Sequence, residues 1–108
     1  MAALPTPKSS PLAREAQKIK EQIDKMVSKM QKTAKFCPTR EDVEEIAQEI
    51  INYIDKNHTQ AIAHHSYLKG AVIDLTEVPE MSPQMQRIAY LTALKDATHQ
   101  MDLFLSCL

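Results

Sequence analysis

Residues 39–54 read TREDVEEIAQEIINYI, and this stretch decides the fold. Thr39 offers a helix cap with Asp42 three residues on, a variant of the capping box, and Glu41 and Asp42 sit in the first turn, where the helix dipole favours negative charge. Val43, Ile46, Ala47, Ile50, Ile51 and Ile54 then recur at three- and four-residue steps. That spacing predicts a helix starting near Arg40 with a broad apolar face of the kind that enters a core. The pattern runs on through His58, Ala61, His65, Leu68 and Val72, so residues 40–76 read equally as one long bent helix or as two, broken near Asn57-His58-Thr59.

Outward from this stretch, the same periodicity recurs on both sides. Ser10 followed by Pro11 is a helix start, because Ser caps orphan amides and Pro gives up an N–H that lacks a partner anyway. Leu12, Ala16, Ile19, Ile23, Met26 and Met30 follow as a narrow heptad seam, ended by Pro38. Ser82-Pro83 repeats the start signal, and Tyr90, Leu94, Ala97, Met101, Phe104 and Leu108 form a stripe that Ile88, Leu91 and Leu105 widen. With one Gly and no Trp in 108 residues, 44% of them apolar, turns for a β fold are scarce. The expectation is one all-α domain, a three- or four-helix antiparallel bundle over residues 10–108, preceded by a disordered, flexible tail over residues 1–9. Ile46, Ile50, Ile54, Leu94, Met101 and Phe104 are expected in its core, with caps at Ser10, Thr39 and Ser82.

Charge is near balance overall, at −1, but segregated locally. From Lys8 to Arg40 there are nine basic residues against Glu15, Glu21 and Asp24, whereas Glu41 to Asp55 holds six acidic residues and no basic one. Two adjacent helices that neutralise each other explain this simply, each exposed pair contributing about 0.2–1 kcal/mol. A narrow seam with basic flanks also suits docking on another chain. The candidate partner-binding residues are Ile19, Ile23, Met26 and Met30 in the seam, with Lys18, Lys25 and Lys29 beside it. The flexible thioethers of Met26 and Met30 fit an adaptable contact. As an alternative, Lys18, Lys20, Lys25, Lys29, Lys32 and Lys35 could follow a phosphate backbone, although no aromatic residue interleaves them before Phe36.

Catalytic chemistry finds little purchase. Cys37 and Cys107 form no C-x-x-C pair, which gives neither a disulfide framework nor half a zinc site. His58, His64, His65 and His99 lack acidic or thiol partners at ligand spacing. There is no G-x-S-x-G elbow, and one Gly rules out a phosphate-cradling loop. No metal or cofactor is implied, and the chain reads as a non-enzyme. No apolar run approaches the roughly 18 residues of a membrane span, residues 1–11 lack a secretory core, and the terminal Ser106-Cys107-Leu108 lacks the basic residue of a peroxisomal address. The cytoplasm, or the nucleus, is the expected compartment.

His64-His65-Ser66-Tyr67-Leu68-Lys69-Gly70 resembles, over these seven residues, the H-x-L-K-G signature of histidine phosphotransfer domains, themselves four-helix bundles. The resemblance implies that the His accepts a phosphoryl group, the Lys steadies it and the Gly leaves room. Here Ser66 stands two before Leu68, so His65 comes one residue early and is turned by about 100° on a helix. A packed, inert His65 is the expectation. The function expected from the sequence is an adaptor, chaperone-like or complex-subunit domain that binds another protein, or itself, through apolar helix faces.

Overall fold

The computed structural model describes residues 11–57 and 65–107. Four helices follow in order: α1 Pro11–Lys32, α2 Arg40–Lys56, α3 His65–Thr76 and α4 Pro83–Ser106. Among the described residues there is no strand. Each helix runs antiparallel to its neighbour, as the cross-contacts show: Tyr53 meets Leu12, Arg40 meets Val78, and Lys20 meets Asp102. α4 closes the ring by packing on both α3 and α1, and α1 against α2 is the loosest of the four neighbouring pairs around it. The expected bundle therefore forms with four helices.

Local signals explain most of the helix ends. Thr39 caps α2 as a full capping box, its hydroxyl accepting from the Asp42 N–H at 3.1 Å while the Asp42 carboxylate accepts from the Thr39 N–H at 3.2 Å. α2 stops at Lys56, with Asn57 as its C-cap. Ser82 occupies the cap position of α4 and Pro83 its first turn, but the Ser82 side chain makes no capping bond. The predicted cap at Ser10, the tail at 1–9 and the linking segment at 58–64 lie outside the described residues. At the far end of α1 the sequence shows only Pro38 as a stop; the structure adds Arg87 of α4, which donates to the carbonyls of Met30 and Phe36. The Met30 carbonyl lies in the last turn, where a helix loses its internal donors, and that of Phe36 in the connection beyond it; a guanidinium from another helix supplies both.

The core runs the length of the ring. Ile23, Met30, Val43, Ile50, Leu68, Leu75, Leu94, Met101 and Phe104 are its largest fully enclosed side chains. Ile46 joins them, whereas Ile54 is only half-buried against the cluster. Tyr53 takes the place the spacing gave to Ile54: it is buried, donates to the Leu12 carbonyl at 2.8 Å and meets the Phe104 ring edge-on, with centroids 5.8 Å apart. Burial pushes its phenol well above the ordinary tyrosine range. Gly70 of α3 lies against α4, where an added Cβ would meet the Gln100 side chain at 3.3 Å.

Candidate functional site

The seam of α1 is spent inside the molecule. Ile19, Ile23 and Met30 are buried in the bundle's own core, and Met26 is half-buried against it. A partner could reach these side chains only if α1 left α4. The lysines beside the seam point the other way: Lys18, Lys25 and Lys29 are exposed. With Arg14 and Lys32 they fall within about 60° of one another around the helix, opposite the seam, and extend for about 27 Å. Among the described residues none of these five makes an ion pair. Lys29 instead lies over the Phe36 ring, 4.3 Å from its centroid.

The mutual neutralisation of α1 and α2 does not follow from their adjacency. The ion pair between them joins Lys56 of α2 to Glu15 of α1 at 3.0 Å, the reverse of the expected polarity, and Gln22 donates to Glu49 at 3.1 Å. Glu41, Glu44 and Glu45 face solvent. Both ridges are therefore outward and mostly unanswered, because α1 and α2 face each other with their apolar sides and hold their charged sides away. The remaining basic charge of α1 near the core, Lys20, is bound to Asp102 at 3.2 Å and Asp24 at 3.5 Å, and the hydrogen bond to Asp102 holds its ammonium above the ordinary lysine range.

His65 is buried with its Nε2 unpartnered, while Lys69 is exposed. The two side chains of the phosphotransfer-like string thus share no open site. Cys37 is half-buried and Cys107 exposed, both as free thiols. Among the described residues no three His, Cys, Asp or Glu side chains stand close enough to hold a metal ion, and no helix is long and apolar enough to cross a membrane.

The feature that spacing missed lies on α3 and α4. Ile73 is 52% exposed, Met85 53% and Ile88 56%, with Met81 at 39%. Ile88 had read as part of the core stripe of α4; it faces solvent because that stripe is wider than the arc α1 and α3 cover. α3 turns Leu68, Ala71 and Leu75 inward, and on its outer side, among Ser66 and Lys69, it carries Ile73 into water. Ile73 divides two shallow grooves. One, against α2, is lined by Ile51, Ile54 and Val72; the other, against α4, by Val78, Ala89 and Ala93. Thr92, one turn from Ile88, lines the second groove and joins the two apolar areas. The signal available in the sequence was the run Ala71-Val72-Ile73, too apolar for one buried face to use. Comparison with family models, curated proteins and solved structures finds no match to this chain, so its apolar surface is read from its own geometry.

Proposed function

We propose that the chain is a non-enzymatic protein-interaction domain, an adaptor or complex subunit, that binds its partner through the outer face of α3 and α4. The observation that carries this reading is the placement of Ile73, Met85 and Ile88, each more than half exposed, in a bundle that encloses Ile23, Met30, Ile50, Leu68, Leu75, Leu94 and Met101 fully. Each of these half-exposed apolar side chains forgoes about half of the roughly 1.5–3 kcal/mol that full burial contributes, and a set of them on one side of a small protein marks a contact surface. Two grooves flanking Ile73 give a helix from a partner room to seat its side chains. The test is affinity purification followed by mass spectrometry with the wild-type chain and with Ile73→Asp/Ile88→Asp, whose altered positions are exposed and leave the core intact. Partners should be recovered by the wild type and lost by the variant at unchanged helicity. Equal recovery by both would discard this face.

A second reading is favoured by one specific observation. The ridge of Arg14, Lys18, Lys25, Lys29 and Lys32 is exposed and free of ion pairs among the described residues, an arrangement suited to a linear polyanion such as a nucleic acid.

A further inference from the structure

The groove between α3 and α4 carries a charge signature as well as an apolar floor. Above Val78, Ala89 and Ala93 stand three carboxylates, Asp74 and Glu77 from the α3 side and Asp96 from α4, and no Lys or Arg lines the groove. Among the described residues none of the three is ion-paired. Asp74 Oδ2 is enclosed and has no hydrogen-bond partner. Burial, and then the charge of Asp96, both make Asp74 hold its proton more tightly than an ordinary aspartate. Burying one oxygen of a carboxylate raises the free energy of its charged form, and a cation near the reachable part of the same carboxylate offsets part of that cost.

We infer that this groove receives an amphipathic helix from a partner protein, its apolar residues lying on Ile73, Val78 and Ala93 and a Lys or Arg reaching Asp74 and Asp96. The inference rests on the protein-binding reading above and adds the partner's charge to it. The other acidic area, Glu41, Glu44 and Glu45 on α2, is not an equivalent site. Those carboxylates are exposed, Glu41 lies in the first turn where the helix dipole already stabilises it, and their exposed neighbours Gln48 and Asn52 supply no apolar floor. Of these two acidic areas the α3–α4 groove is the one that combines an apolar contact with a partly desolvated negative charge, the combination in which a charge-assisted hydrogen bond is strong.

The test uses the full chain with methyl-labelled Ile and Val, and two designed amphipathic peptides of about 16 residues that share one Leu face and differ only in carrying Lys or Glu around it. The Lys peptide should shift the methyl signals of Ile73 and Val78 and bind at least about tenfold more tightly than the Glu peptide. Asp74→Asn/Asp96→Asn should weaken the Lys peptide by about tenfold and erase the preference, Ile73→Asp should abolish binding of both peptides, and Glu44→Gln/Glu45→Gln should change nothing. If both peptides bind equally and only Ile73→Asp matters, the charge inference fails while the protein-binding reading stands. If neither peptide binds, or binding survives Ile73→Asp, both fall. Loss of binding through Glu44→Gln/Glu45→Gln overturns the inference in favour of α2. Dimerisation of the chain that Ile73→Asp abolishes overturns it in favour of a second copy.

Discussion

The carboxyl of Asp74 is the residue where stability and proposed function pull in opposite directions. Its proton affinity is raised in the folded chain by burial first and by Asp96 second. For an acid whose folded pKa lies above its unfolded one, the folded state binds the proton more tightly, so stability declines as pH rises out of the ordinary Asp range and through the folded value. Asp74→Asn removes that loss. Thermal melts should show a higher Tm for the variant at pH 7 and no gain near pH 3, where both states hold the proton; a lower Tm at pH 7 would mean that the carboxylate has a stabilising partner. The same substitution is expected to weaken the Lys-peptide complex, which separates a binding defect from a folding defect. Asp74 was illegible in the sequence because a lone acid in an apolar run looks like a solvated position. Ile50, Leu94, Met101 and Phe104 were legible because each recurs at helical spacing and ends up fully buried. Tyr53 was not, since Ile54 competes for the same face and only the Leu12 carbonyl, forty-one residues away, favours the phenol.

Elements were read best where their determinants are local. Thr39 and Asp42 lie three apart and cap α2 as their spacing predicts. Ser82 shows the limit of such reasoning: Pro83 starts the helix, but the Ser82 side chain makes no capping bond, and Gln86 instead reaches back to accept from the Met81 N–H at 2.9 Å. The end of α1 depends on Arg87, fifty-seven residues from Met30, and no local pattern encodes such a contact. α3 tests the balance between propensity and packing. Gly70 costs about 1 kcal/mol relative to Ala within a helix, and a Cβ there would meet the Gln100 side chain at 3.3 Å. Because that neighbour is the far end of a flexible, half-buried side chain, it can give way by a few tenths of an ångström. Gly70→Ala is therefore expected to stabilise the bundle by up to about 1 kcal/mol in chemical denaturation. Destabilisation would show that α3 and α4 are held too tightly at this point for Gln100 to move.

At the scale of the whole molecule, the bundle was legible because apolar spacing and scarce glycine leave few alternatives, but the sides that meet water were not. A stripe wider than its neighbours can cover must expose one edge, and the sequence does not say which; Ile88 fell on the open edge, and the seam of α1 on the covered one. The ring order then keeps the two candidate surfaces apart, since α1 packs mainly on α2 and α4, and the outer side of α3 belongs to the opposite corner. Their effects should be independent. Among the described residues the basic ridge has no free aromatic on which a base could stack, because Phe36 already lies under Lys29, so nucleic-acid binding there would be electrostatic. Five phosphate contacts on a single strand give a slope of about −3.5 in log affinity against log salt. A single-stranded oligonucleotide should therefore bind measurably near 20 mM NaCl, weaken by about a thousandfold at 150 mM, and be lost at both when Lys18, Lys25, Lys29 and Lys32 become Glu. Those reversals should leave the Lys peptide's affinity for the α3–α4 groove within about twofold, because exposed charges farther apart than about 10 Å are largely screened at 0.1 M salt. Tight oligonucleotide binding that persists at 150 mM NaCl would reverse the ranking and make the α1 ridge, rather than the apolar face of α3 and α4, the principal functional surface.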